Sequence, residues 1–463
     1  MTLKTVDPLW FRAEKRTAFA PVVEVARRAA RACGACGLLL AASAASAQQA
    51  GEVLWTVELQ RSVIVSEPTV APDGRIYAHA GAFHAIAPDG QLLWSQPLPD
   101  ACASDVGPDG TVYAGSGNAV YAFSADGVLL WSFTEDPQGQ GLMAGPTIGP
   151  DGNLYAITDG NGIGAFSLTP GGALRWNRTG FLNFDGTGLG RLQFAGDRFY
   201  FAEDIVPGCD ADGLQQGVVA VTLNGDVDWC VPLSDVARPM AAPSGRAYVR
   251  FGNSALRAFE PDGSVAWTFG LPAPTNSVIG PAVGPDNAAY LSRNVDELWR
   301  VNADGSARWN VEDPDSSNFQ KRASVAPDNS ALVYGTGASF GVNGSIYARD
   351  PADGALLWTL GLPGQTAGAA APAAFSADSR VVYVPTSTST ATRLLAIRVH
   401  DAPAPGDLDG DGDVDLTDLS LLLAAFGLCV GDPGFEPAAD LNGSSCVELI
   451  DLSLLLANFG ATP

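Results

Sequence analysis

From residue 51 to residue 399 the chain runs in short stretches of alternating apolar and polar residues, closed by Asp-Gly, Asn-Gly or similar turns, with no helical period. The stretches repeat. Tryptophan stands at 55, 94, 131, 176, 229, 267, 309 and 358, at spacings from 37 to 53. Four positions before each lies a glycine: Gly51, Gly90, Gly127, Gly172, Gly225, Gly263, Gly305 and Gly354. Two before each lies Val53, Leu92, Leu129, Leu174, Val227, Val265, Ala307 or Leu356. That i, i−2 relation predicts a strand with both side chains on one face, and the glycine supplies a turn with positive φ. A second phase, seen in Asp73-Gly74-Arg75-Ile76-Tyr77, places a tyrosine at 77, 113, 155, 200, 248, 290, 334 and 383.

Units of about 43 residues built from short strands predict propeller blades of four strands each. The final unit has its tyrosine strand and a further strand over 394–399 but no tryptophan strand after it, whereas the first tryptophan strand, 51–59, has nothing before it. Joining the two ends gives a shared eighth blade and leaves no sheet edge open at the seam. The expected fold is therefore an all-β, eight-bladed propeller over residues 48–399. Segments such as Ala85-Ile86-Ala87-Pro88-Asp89-Gly90-Gln91-Leu92-Leu93-Trp94 resemble the repeat of the pyrroloquinoline-quinone-like propellers. The resemblance implies a tryptophan that docks blade against blade. It covers quinone-dependent dehydrogenases and also propellers without a cofactor. The adjacent cysteine pair of the dehydrogenases has no counterpart here, so the resemblance implies the fold and leaves a quinone-dependent oxidoreductase as the alternative.

Within the propeller the chemistry is sparse. Glu203, Asp204, Asp210 and Asp212 cluster in the longest unit, where two carboxylates would suit a polysaccharide-active enzyme, but a solvated loop is the simpler expectation. His79, His84 and His400 form no nucleophile–base arrangement in the sequence. No catalytic residue is assigned.

The last 58 residues read differently. After a linker over 400–405, residues 406–463 hold eleven acidic residues and neither Lys nor Arg. Asp407, Asp409, Asp411, Asp415 and Asp418 fall at positions 1, 3, 5, 9 and 12 of an EF-hand-type loop. Asp413 supplies the position-7 carbonyl and Gly412 the sharp turn. So many carboxylates in one loop would repel each other without a cation. The pattern returns at an offset of 33, with Asp440, Asn442, Ser444, the Cys446 carbonyl, Glu448 and Asp451. Ser445 replaces the turn glycine there, and calcium binding is expected to be weaker. Two loop–helix halves resemble dockerin, the tethering module of secreted polysaccharide-degrading assemblies. The resemblance implies a small all-α calcium-binding module whose partner is a cohesin-like or other cell-surface protein. Leu416-Thr417 and Leu449-Ile450 occupy positions that commonly carry hydroxyls in cohesin-binding dockerins. Leu419, Leu422, Leu423 and Phe426 are expected to pack as one helix face. Leu421 and Leu454 lie off that stripe and predict an apolar partner surface.

Charge and cysteine narrow the setting. Against 26 Lys and Arg stand 50 Asp and Glu, a net charge of -24, which disfavours nucleic acid and anionic lipid. No apolar run reaches the roughly 18 residues of a membrane span. Yet residues 1–47 carry seven basic residues, an uncharged run over 32–45 and the small-residue site Ala45-Ser46-Ala47, which predict a secretory signal cleaved after Ala47. In an exported chain cysteines tend to pair, and Cys209–Cys230 and Cys429–Cys446 are the economical bridges, leaving Cys102 odd. The expected function is a secreted, non-catalytic ligand-binding or scaffolding propeller, attached through a calcium-dependent tail.

Overall fold

The computed structural model describes residues 49–460, apart from 61–65, 99–100, 135–140, 160–163, 179–190, 204–216, 234, 237–238, 253, 273–277, 294–296, 313–322, 337–343, 365, 368–370, 389, 401–405, 410–413 and 443. The expected leader lies outside these residues. The strands form eight antiparallel sheets. In blade 1 they run side by side as Thr69–Val70, Ile76–His79, Phe83–Ile86 and Leu92–Gln96. Blades 2 to 7 repeat this order along the chain. The eighth blade is shared as expected: Val53–Leu59 pairs with Thr392–Arg398, from Val53 opposite Ile397 to Leu59 opposite Thr392.

Each of the eight repeat tryptophans acts on the next blade around the ring. The indole N–H of Trp55 donates to Pro88 O, and those of Trp94, Trp131, Trp176, Trp229, Trp267 and Trp309 donate in the same way, at 2.8–3.1 Å. Trp358 closes the circle by donating to Val399 O at 2.7 Å. The accepting turn also contains the repeat glycine, and the indole lies flat on it. A Cβ on Gly127 would meet the Trp94 ring at 2.7 Å, and one on Gly51 would meet Trp358 at 3.3 Å. The glycine is therefore required twice, by its positive φ (+82° at Gly127) and by the ring that covers it. Inside each blade the second-strand tyrosine is buried. In seven blades it faces that blade's tryptophan at 5.3–6.0 Å between centroids.

One expectation is corrected. The apolar residue two before the tryptophan does not share its face. In every blade the pairing register slips at this point: Trp94 opposes Ala85 while Leu92 opposes Ile86, so Leu93 is the extra residue of a β-bulge. The same slip precedes the other seven tryptophans. The added residue breaks the two-residue alternation and turns the indole toward the neighbouring blade. Val53, Leu92, Leu129, Leu174, Val227, Val265 and Leu356 are left 37–52% exposed on the rim.

Because each blade alternates in direction, its connections divide between two ends. First-to-second and third-to-fourth strand turns, the Asp-Gly type, lie at one end, here the turn face. Second-to-third connections and those passing between blades lie at the other, the loop face. Gly51 N donates to Arg398 O at 2.9 Å, so the start and finish of the propeller meet at the turn face. His400 then bonds Ser330 Oγ at 2.8 Å through Nε2.

The tail has helices α1 (Leu416–Ala425) and α2 (Leu449–Asn458) around a core of Val414, Leu422, Ala425, Ala439, Val447 and Leu455. Here too the stripe differs from expectation. Ala425 is buried, whereas Leu423 and Phe426 are 52% and 39% exposed. Asp418, Leu422 and Ala425 form the inward face, because Asp418 is drawn into the loop beneath the helix and fixes its rotation.

Candidate functional site

The tail loops bring together the most concentrated chemistry. Asp407, Asp409 and Asp418 place carboxylate oxygens within 4.8 Å of one another, the one such group among the described residues. Asp418 is fully buried. It accepts from the backbone N–H of Leu408 at 2.6 Å, Asp409 at 3.1 Å and Asp415 at 2.7 Å. Burial alone would raise its pKa, but these donors outweigh it and hold the carboxyl below the ordinary range. Asp415 is the N-cap of α1, its Oδ1 accepting from Thr417 N at 2.6 Å. Asp411 and Asp413 lie outside the described residues. The donor set is all oxygen and anionic, the chemistry of a hard divalent cation, and the residues fit calcium.

The second loop is more self-contained. Asp440 accepts from Ser444 N at 3.0 Å and Ser445 N at 2.7 Å, and Asn442 Oδ1 accepts from Ser444 N at 2.7 Å. Ser444 Oγ donates to Cys446 O at 3.1 Å. Asp451 is buried and accepts from Asn442 N at 3.0 Å and Glu448 N at 2.7 Å. Ser445 takes φ +75°, the conformation that the missing glycine would have supplied. Cys429 and Cys446 form the expected disulfide. Cys230 is also disulfide-bonded, and Cys209 lies outside the described residues.

Among the partner-surface residues, Leu416 and Leu449 are 72% exposed, and Thr417, Leu421 and Ile450 are also exposed. Leu454 is half-buried. Leu423, Phe426, Leu456 and Phe459 stand out instead, because α1 and α2 turn the same positions outward at the 33-residue offset.

In the propeller, sequence reasoning missed the central channel. A cavity of about 380 Å³ is lined by first-strand residues of blades 1, 4, 5, 6, 7 and 8 and by residues beside those strands. Arg191, preceding the first strand of blade 4, reaches to blade 1, donating to Thr69 Oγ1 at 2.9 Å, and to blade 2, donating to Ser104 O at 3.1 Å. Its Nη2 lies 3.5 Å from Asp105 Oδ1, and Asp105 Oδ2 accepts from Ile148 N of blade 3 at 3.0 Å. A lone arginine therefore ties four blades at the channel. Its trace in the sequence is Asp105, the charged residue opposite a second-strand tyrosine where the paired first strands of other blades carry Thr69, Thr147, Gln193, Met240, Ala282 and Ala374. His79 is sealed against Phe83, rings 4.5 Å apart, with neither nitrogen hydrogen-bonded. His84 bonds Ser95 Oγ at 2.8 Å and Ala80 O at 3.3 Å. Both sit in the blade, apart from the channel lining. Of the acidic cluster, Asp204, Asp210 and Asp212 lie outside the described residues.

A family model described as outer membrane protein assembly factor BamB matches residues 42–201 and 215–401, most of the chain. The chain belongs to that family. Its propeller is similar to BamB from Moraxella catarrhalis, at 12% identity and a TM-score of 0.54, over 75% of this chain and 99% of that one. It is also similar to quinohemoprotein alcohol dehydrogenase from Comamonas testosteroni, at 14% identity and TM-score 0.56, over 76% of this chain and 77% of that one. The C-terminal WD40 domain of Sif2 matches at 10% and 0.57, over 76% and 99%. At these identities the likeness is one of fold. No curated protein is a significant sequence match. Among the described residues no helix is long and apolar enough to cross a membrane.

Proposed function

We propose that this BamB-family chain is an exported, non-catalytic propeller that binds a ligand or scaffolds a complex. A calcium-dependent, dockerin-like tail attaches it to a cohesin-like or other cell-surface protein, within a polysaccharide-degrading system. The observation that carries this reading is the convergence of Asp407, Asp409 and Asp418 on one point, under a helix whose rotation depends on Asp418. Those three would hold calcium, with Asp411, the Asp413 carbonyl and Asp415 completing the loop. The second set would be Asp440, Asn442, Ser444, the Cys446 carbonyl, Glu448 and Asp451. The ion would supply charge neutralisation that lets the acidic loop close. With the loops closed, Leu416, Thr417, Leu421, Leu423, Leu449, Ile450 and Leu456 present a mostly apolar surface to the partner.

The last propeller strand ends at the turn face, so a tail tethered from there would leave the loop face free. Retention of the full chain on its producing cells tests the tether. It should be released by a calcium chelator and restored by calcium but not magnesium. A Leu416→Asp/Leu449→Asp variant should lose retention while keeping its calcium affinity. Retention that ignores the chelator would end this reading.

A further inference from the structure

Among the described residues the channel cavity carries a charge without a counter-charge. Two ionisable residues of that set line it, Glu67 and Arg191. The guanidinium is already committed, held by Thr69 Oγ1, Ser104 O and the Asp105 carboxylate. Thr69 and Ser104 are 2% and 1% exposed, and their hydroxyls bond each other at 2.7 Å, so these anchors are fixed in place. Glu67 is different. It is half-buried, lies two residues before Thr69, and has no hydrogen bond or ion pair among the described residues. Among the described residues, Arg191, Asp105 and Glu67 together therefore leave one negative charge beside the cavity. Most of the other lining residues have apolar side chains, Met240, Val283, Val325 and Phe375 among them.

A partly buried carboxylate at a cavity with several apolar side chains is stabilised when a cation joins it. The surrounding field acts in the same direction: a chain of net charge -24 raises the local concentration of cations in a low-dielectric cleft and depletes anions. The volume suits a small molecule. We infer that the channel binds a small organic cation, an ammonium group on an apolar body, with Glu67 as the charge that recognises it. The ammonium would sit at Glu67 while the apolar body lies against Met240, Val283 and Phe375. A neighbouring aromatic ring favours such cations further. Arg191 is a positioning residue, which neutralises Asp105 and joins blades 1 and 4 across the channel. The inference rests on the ligand-binding reading of the propeller and names its ligand class.

Calorimetric titration of the full chain with three probes of one shape tests it: benzyltrimethylammonium, benzyl alcohol and benzoate. The cation should bind about tenfold or more tightly than the alcohol, and benzoate should bind least. Glu67→Gln should remove the advantage of the cation and leave the alcohol unchanged. Met240→Trp, which fills the cavity without touching either charge, should abolish binding of all three. Equal affinities, a preference for benzoate, or cation binding that survives Glu67→Gln would each overturn the inference. The ranking in the unmodified protein needs no variant to fold. Each titration is repeated with a calcium chelator. The tether reading stands or falls on calcium and this one on Glu67, so the two fail separately.

Discussion

His79 shows what a single buried residue costs this fold. Its ring is fully enclosed, stacks on Phe83 and finds no hydrogen-bond partner. Burial, with a smaller contribution from His84, lowers its pKa from 6.5 to about 3. The unfolded chain takes up this proton near its ordinary pKa and the folded chain does not. Stability is therefore lost as pH falls through 6.5, and the loss continues until the folded pKa is reached. At pH 4.5 the expected cost is about 2–3 kcal/mol. Comparing denaturant unfolding at pH 7 and 4.5, His79→Phe should lose less stability than the unmodified chain by that amount. Parallel losses would show that His79 is protonated in the fold. The alternating pattern shows that His79 lies on a strand, but the complete enclosure of its ring is not visible in one repeat.

Among the elements, the closing strand Val53–Leu59 has the widest reach for its length. It pairs along Thr392–Arg398, sends Trp55 onto the turn of blade 1, and is preceded by Gly51 beneath Trp358. Deleting residues 48–59 removes one strand, the Trp55 bond to blade 1 and the Gly51 turn beneath Trp358, and exposes a sheet edge. The melting temperature, followed by near-UV circular dichroism of the tryptophans, should fall by more than about 10 °C. An unchanged melting temperature would mean that the ring does not depend on the shared blade. This strand was legible because its tryptophan belongs to a series and the last unit lacked one. The bulge before the tryptophan was not. A strand with one extra residue has the same composition as a regular one, and only the partner's register reveals the slip. The tail helices misled for a related reason: a 10-residue helix with five leucines offers several apolar faces, and the buried aspartate chooses among them.

At the scale of the whole molecule the two ends of the ring differ in kind. Asp-Gly turns and the seam where the first and last propeller strands meet occupy one face, while the irregular connections occupy the other. The number of blades and the paired acidic loops could be read along the chain, because each is a local pattern repeated. The channel could not. Arg191 and Thr69 are 122 residues apart, and the first strands that line the cavity are as short as Thr69–Val70 and Met240–Ala241. The account joins this ring to a tail that calcium orders, and that claim is the one to measure first. The chelated full chain should be titrated with calcium by calorimetry, with far-UV circular dichroism recorded in parallel. Saturable binding should accompany a gain in helicity, and Asp418→Asn should weaken the tightest site more than Asp451→Asn does, with the propeller's unfolding unchanged. No heat of binding, or the same response to magnesium, would contradict the account.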